Sequence, residues 1–334
     1  MMNQSPQTVK DVGEHGLLQR LKRFCPADIV GDDGAIVALK GDGCLVVTTD
    51  LLVDNVHFSD RTTTAEDAGW RAAAANLSDL AAMGASPLGI TVGLALRGDL
   101  ALDWVEGFYQ GLSLCLTPYD IPILGGDICR SEVITVSITA FGEVRRSHAI
   151  TRSAAQPGDA IVVTGYHGSS RAGLELLLAP QKGQHLNPQA REFLLRAHQR
   201  PQPRLDLLPH LLEIVKENSV AGMDSSDGLA DAIMQICQCS NLSAQIDLAK
   251  IPLHPALLKL ASPEQALEWA LYGGEDFELV LCLPQPHAVA LVAKLGDSAA
   301  IIGKITTEKP IQLQDSQGKY AQQPLDISQR FQHF

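Results

Sequence analysis

Apolar and polar residues fall in blocks whose period switches between that of a strand and that of a helix. Cys44 to Val47 is a short apolar run between Gly43 and Thr48 and predicts a buried strand. The stretch from Ala65 to Met83 is rich in alanine and leucine. It stops at Gly84 with Pro87 beyond, which predicts a helix with a C-terminal stop signal. Gly89 to Leu96 reads as another strand. Leu102, Val105, Phe108, Tyr109 and Leu112 recur at helical spacing and predict a helix over 103–116. Ile121 to Leu124 reads as a strand that ends in Gly125-Gly126-Asp127, and Val133 to Phe141 alternates as a half-exposed strand does.

The character changes near Thr151-Arg152-Ser153. A turn at Gln156-Pro157-Gly158-Asp159 leads into a strand over Ala160 to Thr164. Helices are predicted from about Arg171 and from Ala190, an Asp-rich helix start at 224, and a strand from Phe277 to Leu283. Leu186 to Pro209 interleaves histidines and arginines with prolines and reads as a surface connection. The series predicts a mixed α/β (α+β) protein of two domains, 1–150 and 151–334, a division that 334 residues accommodate.

Composition narrows the function classes. Hydrophobic residues at 46% and charged residues at 19% are an ordinary globular balance. A formal net charge of −12 argues against a nucleic-acid binder or a protein of anionic membrane surfaces, because both need basic surface. Seven cysteines form no CxxC pair, which argues against a disulfide framework or a zinc site and fits a reducing compartment. The opening residues lack the apolar core of a signal peptide, and no run is long enough to span a membrane, so a cytoplasmic protein is expected.

The chemistry lies in the acids. Ala221 to Ala232 reads AGMDSSDGLADA and gathers Asp224, Asp227 and Asp231 within eight residues. Helix capping explains one such cluster: Ser226 could cap, with acids favoured in the first turn. It does not explain six. Gly31-Asp32-Asp33-Gly34, Thr48-Thr49-Asp50, Asp79 in an alanine-rich stretch, Gly125-Gly126-Asp127 and Gly273-Gly274-Glu275-Asp276 repeat the theme, nearly all at element ends. Carboxylates clustered with hydroxyls are hard oxygen ligands suited to Mg²⁺, whose shell is usually completed by water and substrate phosphates. Phosphate chemistry follows, but the chain has no G-x-x-x-x-G-K-[ST] loop, no protein-kinase motif set and no G-x-G-x-x-G. A nucleotide would be held through metals, backbone amides and a few side chains. Arg152 at the domain junction is a candidate phosphate contact, an exposed arginine being the alternative.

These motifs, in order, resemble those of the thiamine-monophosphate kinases, in the superfamily of aminoimidazole ribonucleotide synthetase and selenophosphate synthetase. They are GDDGA at 31, TTD at 48, His57-Phe58, NLSDLAAMG at 76, GGD at 125, TRS at 151, PGD at 157, DSSDGL at 224 and GGEDFEL at 273. The resemblance covers nearly the whole chain. It implies transfer of the γ-phosphoryl group of ATP to thiamine monophosphate, giving thiamine diphosphate. It implies Asp33, Thr48, Thr49, Asp50, Asp79, Asp127, Asp224 and Asp227 as Mg²⁺ ligands, and Gly126, Asp127, Arg152 and Ser226 as ATP contacts. Tyr109 corresponds either to a nucleotide-stacking tyrosine or to a core aromatic. His57 and Glu275 correspond to substrate contacts. Phe331 aligns with a family Trp or Tyr against the thiamine, keeping a stacking face and losing a polar handle. The implied fold pairs N-terminal domains into a homodimer across a shared β-barrel. The acceptor is itself a phosphate oxygen, ionised at neutral pH, so no general base is required and no single catalytic side chain is assigned. Two alternatives stand beside this reading. One is a sibling ATP-dependent synthetase, although Cys25 and Cys44 lack the glycine-rich setting expected of a selenide user. The other is a non-catalytic Mg²⁺–nucleotide-binding protein.

Overall fold

The computed structural model describes residues 32, 35–38, 42–216, 218–326 and 328. Its first half runs β1 (Ala35–Ala38), β2 (Gly43–Val53), α1 (Ala65–Ala82), β3 (Ser86–Leu96), α2 (Leu102–Leu116), β4 (Ile123–Arg130) and β5 (Thr135–Arg145). The second half starts with β6 (Ile150–Thr151), β7 (Ala160–Thr164), α3 (Ser169–Leu178), α4 (Pro188–Gln199) and α5 (Leu208–Val215). It continues through β8 (Val220–Asp224), α6 (Leu229–Cys239), β9 (Ser243–Asp247), α7 (Pro255–Leu260) and α8 (Pro263–Tyr272). It closes with β10 (Leu279–Leu283), α9 (Gln285–Leu295), β11 (Ala299–Thr306), β12 (Gln312–Gln314) and β13 (Gln323–Pro324).

Among the described residues five strands form one sheet, ordered β1-β2-β5-β3-β4, and eight form another, ordered β13-β12-β9-β11-β7-β10-β8-β6. In the first sheet one face is helix-covered. Along β5, Val136, Ile138, Ala140 and Gly142 are buried while Ser137, Thr139 and Phe141 are half-exposed, the alternation of a one-sided sheet. Helix α1 lies across β2 and β5. In the second sheet β7, β8 and β10 are buried throughout, because helices cover both faces. One core joins the halves: Val46, Leu77 and Ile138 of the first share a continuous apolar cluster with Val162, Leu208 and Leu281 of the second.

Three expectations need correction. Gly125-Gly126-Asp127 does not end a strand but lies inside β4, paired in parallel with β3. A Cβ on Gly126 would stand 2.0 Å from the Val92 carbonyl, so glycine permits the pairing rather than breaking it. Ser226 caps no helix: Asp224 closes β8, and α6 starts three residues after Ser226 behind Gly228, without a side-chain cap. The segment from Leu186 to Pro209 is not a surface connection. It contains α4, buries His198 and Arg204, and ties the halves together. Arg200 there pairs with Glu66 and Asp67 at the start of α1, both at 2.6 Å, and Trp70 Nε1 donates to the Pro201 carbonyl at 2.7 Å.

Helices α1 and α2 cross backbone to backbone. A Cβ on Gly111 would come within 1.7 Å of the Glu66 carbonyl, and one on Gly69 within 1.9 Å of the Phe108 carbonyl. Gly111→Ala must therefore push α2 off α1. It is expected to lower the unfolding free energy by roughly 2–4 kcal/mol in urea titration. Stability within about 0.5 kcal/mol of wild type would contradict this packing.

Candidate active site

The site is assembled on α1. Strand alternation turns Thr48 and Asp50 to the same face of β2, where Thr48 Oγ1 donates to Asp79 Oδ2 on α1. Thr49 points to the opposite face and shares a hydrogen bond with Thr139 Oγ1 at 2.9 Å. The adjacent Ser78 reaches the other way, and its Oγ donates to Asp224 Oδ2 at 2.5 Å. Asp224 is completely buried, and its Oδ1 also accepts from Ser226 Oγ at 2.8 Å and Ser226 N at 3.3 Å. One turn of α1 thus holds a hydroxyl from the first half of the chain, Thr48, and a carboxylate from the second, Asp224.

Asp50 and Asp224 come close enough to feel each other. Burial first, and the Asp224 charge second, push the Asp50 carboxyl up to about 6. Two acids thus face one another, Asp224 fully buried and Asp50 half-buried, an arrangement that their mutual repulsion disfavours. Asp227 is exposed in the turn that follows β8, at the mouth of this group. Among the described residues no three carboxylate, imidazole or thiol side chains converge to cage a metal by themselves. Mg²⁺ commonly takes one or two protein carboxylates and completes its shell with water and phosphates. The donors present are hard oxygens, and an uncompensated acid pair is what a divalent ion would relieve.

Asp127 and Gly126 stand apart. They lie on the exposed edge strand β4, with Asp127 opposite Gly93 of β3. Three strand spacings separate β4 from β2 in the sheet order, about 14 Å at ~4.8 Å each. Within one chain Asp127 therefore does not join Asp50. Asp33 and Phe331 lie outside the described residues. Asp32 reaches the domain junction, its Oδ1 accepting from the Arg152 backbone N at 2.7 Å. The Arg152 side chain donates to Gln235 Oε1 at 2.6 Å. Tyr109 is half-buried on α2 and meets Phe108 edge-on, with ring centroids 5.8 Å apart.

Glu275 and His57 form the opposite wall. The loop before β10 holds Gly274, Glu275 and Phe277 at φ of 66°, 58° and 53°, a run of left-handed backbone that two non-glycine residues adopt only under constraint. The constraint is visible: Glu275 N donates to the Ser226 carbonyl at 2.6 Å, and Arg71 Nη2 donates to Glu275 Oε1 at 2.5 Å. Burial alone would raise the Glu275 carboxyl, but the Arg71 guanidinium beside it holds it below the usual range. His198 is pushed down to about 3, by burial first and then by Arg71, so its ring is neutral. His57 Nδ1 accepts from the Val53 backbone N at 3.0 Å, which leaves Nε2 to carry the proton of the neutral ring. The other acids of the loop are committed elsewhere. Asp276 accepts from Gly168 N and Ser170 N at the start of α3, and Glu278 accepts from Thr164 and Arg204.

Sequence reasoning missed Ser78, Arg71, His198 and Gln235, and it placed Asp231 among the metal-binding acids where the structure pairs it with Gln235. Arg71 had a signal: a lone cation in an alanine-rich helix is either buried and paired or misplaced. His198 had none, because its partners Ser170 and Glu275 are distant in the chain.

Comparison with known proteins adds to this geometry. The AIR synthase related protein models match residues 31–144 (N-terminal domain) and 156–316 (C-terminal domain). The thiamine-monophosphate kinase of Synechococcus elongatus is 46% identical over 333 residues, covering 99% of each chain. That of Escherichia coli K12 is 38% identical over 282 residues, 84% of each. The solved structure of AaThiL complexed with AMPPCP and TMP superimposes with a TM-score of 0.84 at 31% identity, covering 98% of this chain and 99% of that one. This chain therefore belongs to the thiamine-monophosphate kinase family of AIR synthase-related proteins.

Proposed function

We propose that this protein transfers the γ-phosphoryl group of ATP to the phosphate of thiamine monophosphate, releasing thiamine diphosphate and ADP. The observation that carries the reading is the group of Thr48, Asp50, Asp79 and Asp224, drawn from both halves of the chain onto one turn of α1. The P–O bond to the ADP leaving oxygen breaks as a bond to an already ionised acceptor oxygen forms, so no side chain need remove a proton. The obstacle is the mutual repulsion of two polyanions.

Mg²⁺ supplies charge neutralisation between donor and acceptor phosphates when bound. Asp33, Thr48, Thr49, Asp50, Asp79, Asp127, Asp224 and Asp227 are the residues we assign to hold it. Gly126, Asp127, Arg152, Ser226 and the exposed side of Tyr109 meet ATP. His57, Glu275 and Phe331 meet thiamine monophosphate. Arg71 keeps Glu275 ionised and aimed, and an ionised carboxylate suits a substrate that carries a thiazolium cation. We take the two domains to divide near residue 150 and the enzyme to work in the cytoplasm, where its cysteines stay reduced.

We also infer a homodimer. Leu51, Leu88, Leu124 and Ile128 expose 55%, 45%, 58% and 64% of their surface on the uncovered face and edge of the first sheet. A row of large apolar side chains beside an unpaired strand is unfavourable in water and favourable against a second copy. Pairing these sheets would carry Asp127 of one copy toward the acid group of the other.

Incubation with ATP, Mg²⁺ and thiamine monophosphate should give thiamine diphosphate on anion-exchange chromatography. Free thiamine should give no diphosphate, and EDTA should abolish the product. Asp227→Ala should cut turnover at least a hundredfold with folding intact, as loss of a charge-neutralising contact does. ATP binding without transfer to thiamine monophosphate would instead favour a sibling synthetase. For the dimer, light scattering should give twice the chain mass for wild type and the chain mass for Ile128→Asp; a monomeric wild type would contradict the pairing.

A further inference from the structure

Arg152 is held more tightly than a phosphate contact alone requires. Its backbone N donates to Asp32, and its carbonyl accepts from Ser240 Oγ at 2.9 Å, so the main chain is fixed on both sides. Its Nη1 donates to Gln235 Oε1 at 2.6 Å, and Gln235 Nε2 donates in turn to Asp231 Oδ2 at 2.5 Å. Asp231 is only 3% exposed. Both residues lie on α6, four apart, on one helix face.

The order of groups in this chain is set by charge. Gln235 turns its carbonyl to a guanidinium and its amide hydrogens to a carboxylate. The flipped amide would oppose two donors at one end and two acceptors at the other. The buried Asp231 charge therefore fixes the amide, and the amide fixes the arginine. Resting on the reading that Arg152 meets the nucleotide, we propose that Gln235 and Asp231 are positioning residues that hold the Arg152 guanidinium ready for the phosphates of ATP. Neither touches substrate. Their effect is to order a long side chain before the nucleotide arrives, so that binding does not have to.

The test compares Arg152→Ala, Gln235→Ala, their double variant, and Asp231→Asn combined with Gln235→Glu. The last keeps the sequence of bonds but moves the charge from position 231 to position 235. The carboxylate introduced at 235 accepts from Arg152, and the amide introduced at 231 donates to that carboxylate. Binding of AMPPCP with Mg²⁺ is measured by calorimetry, alongside kcat, KM for each substrate and Tm. Gln235→Ala should weaken AMPPCP binding and raise KM for ATP about tenfold, the ordering entropy of one arginine side chain read as an equilibrium constant. KM for thiamine monophosphate and Tm should stay near wild type. The loss should vanish in the Arg152→Ala background, and the exchanged pair should restore most of the ATP affinity. Unchanged ATP binding in Gln235→Ala, where Arg152→Ala weakens it, would overturn the relay alone. A uniform loss in both KM values and Tm would also overturn it, making the pair merely structural. Unchanged binding in Arg152→Ala would overturn the nucleotide reading of Arg152 itself, and the relay with it.

Discussion

Two carboxylates that ought to avoid each other organise this molecule. Asp50 comes from a strand of the first sheet and Asp224 from the second, and where they meet Asp224 is fully buried and Asp50 half-buried. A shift of the Asp50 carboxyl to about 6 corresponds to a cost on the order of 3 kcal/mol at neutral pH, a sizeable share of a protein's net stability. Nothing in folding alone calls for that arrangement. It makes sense where a divalent ion and a polyphosphate arrive between the acids, and structure elsewhere must then hold them in place until they do.

Helix α1 does the holding. Over 9 positions it presents Arg71 to the Glu275 loop, Ser78 to Asp224 and Asp79 to Thr48, so one rigid element sets three walls of the site. Its alanines are what allow this. Ala72, Ala73, Ala74, Ala81 and Ala82 are fully buried, and such small side chains let both sheets and α2 approach the helix closely. The glycine crossing with α2 serves the same end. In the Glu275 loop the same helix holds a left-handed backbone in place through Arg71.

Much of this was legible in the sequence, and the failures share a cause. The helix over 65–83 and the strand over 160–164 were readable because their signals are local: period, a glycine stop, a turn before the strand. The acid motifs could be placed at element ends for the same reason. Gly125-Gly126 was misread because glycine locally signals a break, whereas here it answers a carbonyl on a neighbouring strand. Ser226 was a plausible cap until its hydroxyl proved committed to Asp224. Arg71 and Glu275 lie 204 residues apart, and no periodicity reports a bond of that span. The segment around His198 looked like surface because the partners of its polar residues, Arg200 with Glu66 and Asp67, His198 with Ser170 and Arg204 with Glu278, lie far away in the chain.

The most direct test is the thermal stability of Asp50→Asn against wild type across pH, with and without Mg²⁺ and AMPPCP. A carboxyl whose folded value lies above its unfolded one loses stability as pH rises between the two, here from about 4 to about 6. Without ligands at neutral pH the variant should therefore melt higher than wild type, by roughly 2–5 °C. The gap should close toward pH 4, and the ligands should stabilise the variant far less than wild type. A variant that melts lower at neutral pH, yet responds to Mg²⁺ and AMPPCP as wild type does, would contradict the account of Asp50 as an acid kept destabilised for a cation.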